Sequence, residues 1–113
     1  MDQHDVIELT RKLGREPNID TALHILQWEL GDLTKSHTYM KWYTDPDLRK
    51  CWKLECMHAL GDMLFQTAVI AKLLGYEFND LVTFGVDTVR DRIVDMEKKI
   101  GRFQSYVGEQ KVE

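Results

Sequence analysis

The sequence predicts an all-α fold: an antiparallel bundle of three long helices and one short N-terminal helix, completed by oligomerisation. Three observations carry that prediction. Apolar residues recur at gaps of three and four along most of the chain. The only two prolines, Pro17 and Pro46, fall in short polar stretches that divide this pattern. No segment alternates apolar and polar residues between turn signals, as a half-buried strand requires. At 113 residues, a single domain spanning 1–113 is the natural count.

The elements follow in order. A short first helix is expected over residues 4–13. The second runs over 19–43, with Asn18 or Asp20 near its cap. Its core stripe reads Ile19, Leu23, Leu26, Leu30, Leu33, His37 and Met40. The third begins near Asp47, with Thr44 or Asp45 as cap and Pro46 in the first turn, where a missing N–H costs nothing. Gly75 stops it after Leu74. From Ala59 to Leu74 this helix is apolar round much of its circumference, so it needs more than one neighbour. Either the four helices close tightly round it or a second subunit covers it, and a homodimer or a dimer of dimers (a homotetramer) is expected. The fourth helix runs from Phe78 to Tyr106. Its seam, Val82, Val86, Val89, Ile93, Met96, Ile100, Phe103 and Val107, alternates gaps of four and three and is built to pack on other helices. Residues 108–113 are expected to fray.

Composition narrows the function classes. A formal net charge of -4, from 19 acidic and 15 basic residues, gives no basic surface, so no stable nucleic-acid complex is expected. No apolar run reaches 18 residues, which excludes a membrane-spanning helix on sequence grounds. The opening MetAspGlnHisAsp has neither a basic nor an apolar leader region, and a cytoplasmic location is expected. Cys51 and Cys56 stand five apart with no second pair, too few and too widely spaced for a zinc motif, and read as reduced thiols. Neither a GxxxxGK[ST] loop nor a GxGxxG turn is present, and no nucleophile pattern of serine or cysteine with histidine emerges from spacing.

The chemistry gathers round a Leu-Gly-Asp core that occurs twice, at 30–32 and 60–62. Glu29 and Asp32, three apart, share a helical face beside the apolar stripe. Glu55, His58 and Asp62 share a face of the third helix. Asp62 is the only acid between Glu55 and Glu77, and its neighbours are apolar. Gly31 and Gly61 each cost about 1 kcal/mol of helix propensity against alanine, which close helix contact or access for a ligand would justify. If the two helices face each other, Glu29 and Asp32 meet Asp62 and Glu55. That is an oxygen-rich set suited to Mg²⁺ or Mn²⁺. The bland alternatives are a solvated Glu29/Asp32 pair, an Asp62 salt bridge to Arg90 or Lys72, a solvated Glu55 and a hydrogen-bonded interfacial His58. A carboxylate-bridged di-iron bundle lacks support, because the single ExxH, Glu55 to His58, has no second copy.

The order of these motifs resembles the MazG-like nucleoside triphosphate pyrophosphohydrolases, an all-α family with an ExxE pair on one helix and an ExxD pair on the next, in stretches such as EExGEL and EExGDVL. Here the first reads TrpGluLeuGlyAspLeu at 28–33 and the second HisAlaLeuGlyAspMetLeu at 58–64. Leu74–Phe78 resembles the family's lead into its last helix, and ValArgAspArg at 89–92 its basic segment. The similarity spans roughly residues 19–100. Two departures stand out. Asp32 replaces a glutamate, shortening its reach by about 1.5 Å. Ala59 replaces the ExxD glutamate, and Glu55, one turn earlier, is the candidate replacement.

The resemblance implies metal-dependent hydrolysis of a nucleoside or deoxynucleoside triphosphate to monophosphate and pyrophosphate. It implies Mg²⁺ (or Mn²⁺) on Glu29, Asp32, Asp62 and Glu55, which also form the catalytic set. Lys35, Arg90 and Arg92 are then the phosphate-neutralising residues. Trp52, with Trp42 and Tyr43, is a candidate for stacking on the base, unless these rings pack the hairpin bend. The alternatives from other classes are a catalytically impaired helical oligomer that binds a nucleotide or a protein, and a purely structural helical module.

Overall fold

Four helices and, among the described residues, no strand make up the chain: α1 (Gln3–Lys12), α2 (Ile19–Trp42), α3 (Pro46–Leu74) and α4 (Phe78–Val112). The computed structural model describes residues 3–112, with side chains for 6–102 and 104. The protein is all-α, as expected.

Side chains fix the ends of the two central helices. Asn18 Oδ1 accepts from the Thr21 N–H at 3.1 Å. Asp45 Oδ1 accepts from the N–H groups of Asp47 and Leu48 at 2.9 and 3.1 Å, and Pro46 opens α3. Each cap satisfies donors that the first turn leaves without partners. Gly75 closes α3 at φ 83°, in the left-handed region. The Gly75 N–H donates to Lys72 O and the Tyr76 N–H to Ala71 O, at 3.1 and 2.8 Å. Helix α4 runs past the expected stop at Tyr106 to Val112, through residues expected to fray. Gly108 is followed by Glu109, Gln110 and Lys111, all good helix formers, so nothing there breaks the helix.

The chain forms two compact units, one up to Phe78 and one from Asn79 onward. In the first, α2 and α3 form a hairpin joined by Tyr43–Asp45, and α1 lies on α3. The residues withdrawn from water along the hairpin repeat every seven positions. On α2 they are Ala22, Leu26, Glu29, Leu33, Ser36 and Met40; on α3 they are Trp52, Cys56, Ala59, Met63, Gln66 and Ile70. This corrects the expected stripe on α2. Leu23 and Leu30 are 45% and 54% exposed, and His37 is exposed, whereas Ala22 and Ser36 are buried. Small residues let the two helices approach, and the leucines one position later turn outward.

The core proper sits at the end away from the bend. Val6, Ala22, Ala68 and Val69 are buried, with Ile7, Phe65, Ile70 and Phe78 packed on them. Thr10 is buried beside them, its hydroxyl donating to Val6 O at 2.7 Å. At the bend, Tyr39 gathers Trp42, Tyr43 and Trp52, with ring centroids 5.5, 6.0 and 4.8 Å away. In the second unit, Val82, Val86, Val89, Ile93, Met96 and Ile100 of the expected seam are exposed. Phe103 and Val107 lie outside the described side chains. Among the described residues, no helix is long and apolar enough to cross a membrane. Cys51 and Cys56 are free thiols.

Candidate functional site

The seam between α2 and α3 leaves a long hollow on one side of the hairpin. Glu29, Asp32, Lys35 and Ser36 of α2 line one wall; Trp52, Glu55, His58, Ala59 and Asp62 of α3 line the other. Its volume is about 350 Å³. The spacing explains the convergence. Residues 29, 32 and 36, and 55, 59 and 62, fall at steps of three and four, so each set forms a single helical face. Antiparallel pairing then brings Glu29 opposite Asp62. The floor is made by two small buried residues, Ser36 and Ala59, at 4% and 3% exposure.

All four acids expected at the site therefore line one hollow, together with Lys35 and Trp52. Arg90 and Arg92 belong to the second unit. They are exposed on α4, where Arg90 Nη1 lies 3.8 Å from Asp87 Oδ1. Asp62, expected to be buried, is exposed at the rim. Glu29 is the more withdrawn acid, taking a seam position between Ala22 and Ser36. Burial first, then the charges of Asp62 and Asp32, hold its carboxyl above the usual glutamate range. None of the four acids has a lysine or arginine partner within 4.0 Å among the described residues. His58 is exposed and has no hydrogen-bond partner among the described residues.

The glycines correct another expectation. A Cβ built on Gly31 or Gly61 meets nothing within 4 Å, so close helix contact is not what placed them. Trp42 and Tyr43 join the aromatic cluster at the bend, and Trp52 belongs to both that cluster and the end of the hollow.

A second hollow, missed in the sequence, shares Glu29 and Asp62 with the first. Its other lining residues are Leu13, Arg15, Ile25, Trp28, Phe65 and Gln66, and its volume is about 500 Å³. Trp28 is 68% exposed there, and Gln66 is buried. One signal was available. Ile25 stands four positions before Glu29, and Phe65 and Gln66 stand three and four after Asp62, so they extend the acidic faces. Leu13 and Arg15, before α2, carried no such mark. The two acids thus stand between a charged compartment and a largely apolar one.

The donor set has the composition of a divalent-cation site. Its chemistry fits: exposed carboxylate oxygens from two rigid helices, mutually repelling and without basic partners. Among the described residues, however, no three His, Cys, Asp or Glu groups stand close enough to hold an ion. Holding one requires the exposed Asp32, Glu55 and Asp62 side chains to turn inward. No protein-family model, curated protein or solved structure matches the chain.

Proposed function

We propose that the chain hydrolyses a nucleoside or deoxynucleoside triphosphate to monophosphate and pyrophosphate, with Mg²⁺ or Mn²⁺ as cofactor. The observation that carries this proposal is the hollow itself. Glu29, Asp32, Glu55 and Asp62 line it without basic partners, beside a lysine suited to phosphate. Glu29, Asp32 and Asp62 hold the cation, with Glu55 as the fourth acid in place of the one absent at Ala59. A bound divalent cation supplies charge neutralisation at phosphate oxygens and acidifies water. Lys35 orients the phosphate chain by charge. A carboxylate not engaged with the cation accepts the proton of the water that attacks the α-phosphorus. The bond from that phosphorus to the bridging oxygen breaks, and pyrophosphate leaves. The apolar compartment with Trp28 and Phe65 is of a size and character to take the nucleoside.

The test is pyrophosphate release from a panel of standard and modified nucleotides, with Mg²⁺, Mn²⁺ or EDTA. Release should require metal and fall about 100-fold or more in Asp62→Asn. Loss in Glu55→Gln as well would assign Glu55 the role of the missing acid. No release from any nucleotide by folded protein would sink the proposal. The alternative, an impaired oligomer that binds a nucleotide or a protein, is favoured by one observation: Ala59 stands where the resemblance requires an acid.

We also propose a homodimer or homotetramer. Its support is the face of the hairpin away from the acids, where Leu23, Leu30, Met57, Leu60 and Leu64 are exposed.

A further inference from the structure

Two groups in the charged hollow remain once its acids have been given work. Lys35 stands on the α2 wall and His58 on the α3 wall. Lys35 follows Glu29 by six positions, and His58 precedes Asp62, which faces Glu29, by four. In an antiparallel pair both displacements run toward the bend, by about 9 and 6 Å at helical rise. The two groups therefore stand within about 3 Å of one level, one to two turns from the place where Glu29 faces Asp62. Beneath that level lie the two smallest lining side chains, Ser36 and Ala59, both buried. A glutamate at 59 would fill this space and repel an anion. Alanine leaves it open, and Ser36 adds a hydroxyl. The His58 ring is exposed and has no hydrogen-bond partner among the described residues.

Resting on the pyrophosphohydrolase proposal, we propose that Lys35 and His58 form an anion seat for the two terminal phosphates, which leave as pyrophosphate. Two donors on opposite walls suit a group with oxygens on both sides. The charged and titratable groups round His58 are Glu29, Asp32 and Lys35 on α2, and Glu55 and Asp62 on its own helix.

The experiment measures inorganic pyrophosphate binding by calorimetry in magnesium buffer at pH 6 and pH 8. It compares the intact chain with His58→Gln, His58→Lys and Lys35→Gln, whose helicity is checked by circular dichroism. At pH 6 the expected loss is about tenfold in His58→Gln and in Lys35→Gln. His58→Lys, which keeps a nitrogen donor on that wall, should recover most of the affinity lost in His58→Gln. Pyrophosphate affinity unchanged in His58→Gln at both pH values would overturn the seat. Nucleotide hydrolysis alongside that result would leave the proposed activity standing. Binding that depends on His58 without hydrolysis of any nucleotide would keep the seat and remove the activity.

Discussion

Glu29 carries the tension of the site in one side chain. It occupies a seam position that its neighbours seven residues away fill with alanine and serine, and it faces two further acids. Its raised pKa makes a prediction with a definite sign. Below about pH 4.3, the usual glutamate value, it is protonated in both folded and unfolded chains and its contribution to stability is fully present. That contribution is lost as pH rises through the raised folded value. Glu29→Gln should therefore raise Tm at neutral pH, with the gain vanishing below about pH 4. Melts across the pH range check this. The acid itself was legible in the sequence from its spacing to Asp32. Its burial was not, because the leucines at 23 and 30 mark a different face more strongly.

Among the elements, the helix ends were the most legible feature and also offer the simplest tests. Asp45 receives two N–H groups, and Asp45→Ala should cost about 1 kcal/mol. Gly75 holds a left-handed φ, where a Cβ costs about 1–2 kcal/mol, so Gly75→Ala should destabilise the fold by that amount. Urea unfolding measures both. Pro46, Asp45 and Gly75 announce themselves because their local chemistry is position-specific. The side of a helix that meets its neighbour is harder to see. On α2, both the buried seam and the stripe one position later repeat every seven residues. Hydrophobicity alone selects the leucine-rich stripe, whereas close approach selects Ala22 and Ser36. The far end of α4 escaped for the opposite reason: a glycine at 108 looks like a stop only when a turn follows it.

At the scale of the molecule, the core is slight. Among the described residues, the largest side chains fully withdrawn from water are two valines, Val6 and Val69, while a leucine-rich face of the hairpin stays exposed. If a second copy covers that face, Leu60→Glu with Leu64→Glu should reduce the mass measured by light scattering to that of one chain. Helicity should be retained if the hairpin survives alone. A single-chain mass for the parent protein would reject the oligomer. The four acids of the charged hollow were legible because Glu29 and Asp32 lie three apart on α2, and Glu55 and Asp62 lie seven apart, two turns, on one face of α3. The apolar hollow was not, since Leu13 and Arg15 reach it from the segment between α1 and α2, and no periodicity connects them to Glu29.

The link between α2 and α3, Tyr43–Asp45, also bears on how the chain reaches its fold. With so short a bend, the first seam residues to meet, Met40 and Trp52, are near neighbours in sequence. Each further pair toward Ala22 and Ile70 adds only about one helical turn to a closed loop, and loop-closure entropy grows slowly with length. The hairpin can therefore zip from its aromatic end, a local route of the kind associated with microsecond-to-millisecond folding. Midway along that route the zipper must bring Glu29 up to Asp62. The same repulsion thus becomes a barrier to assembly, and any cation that relieves it should accelerate closure of the hairpin.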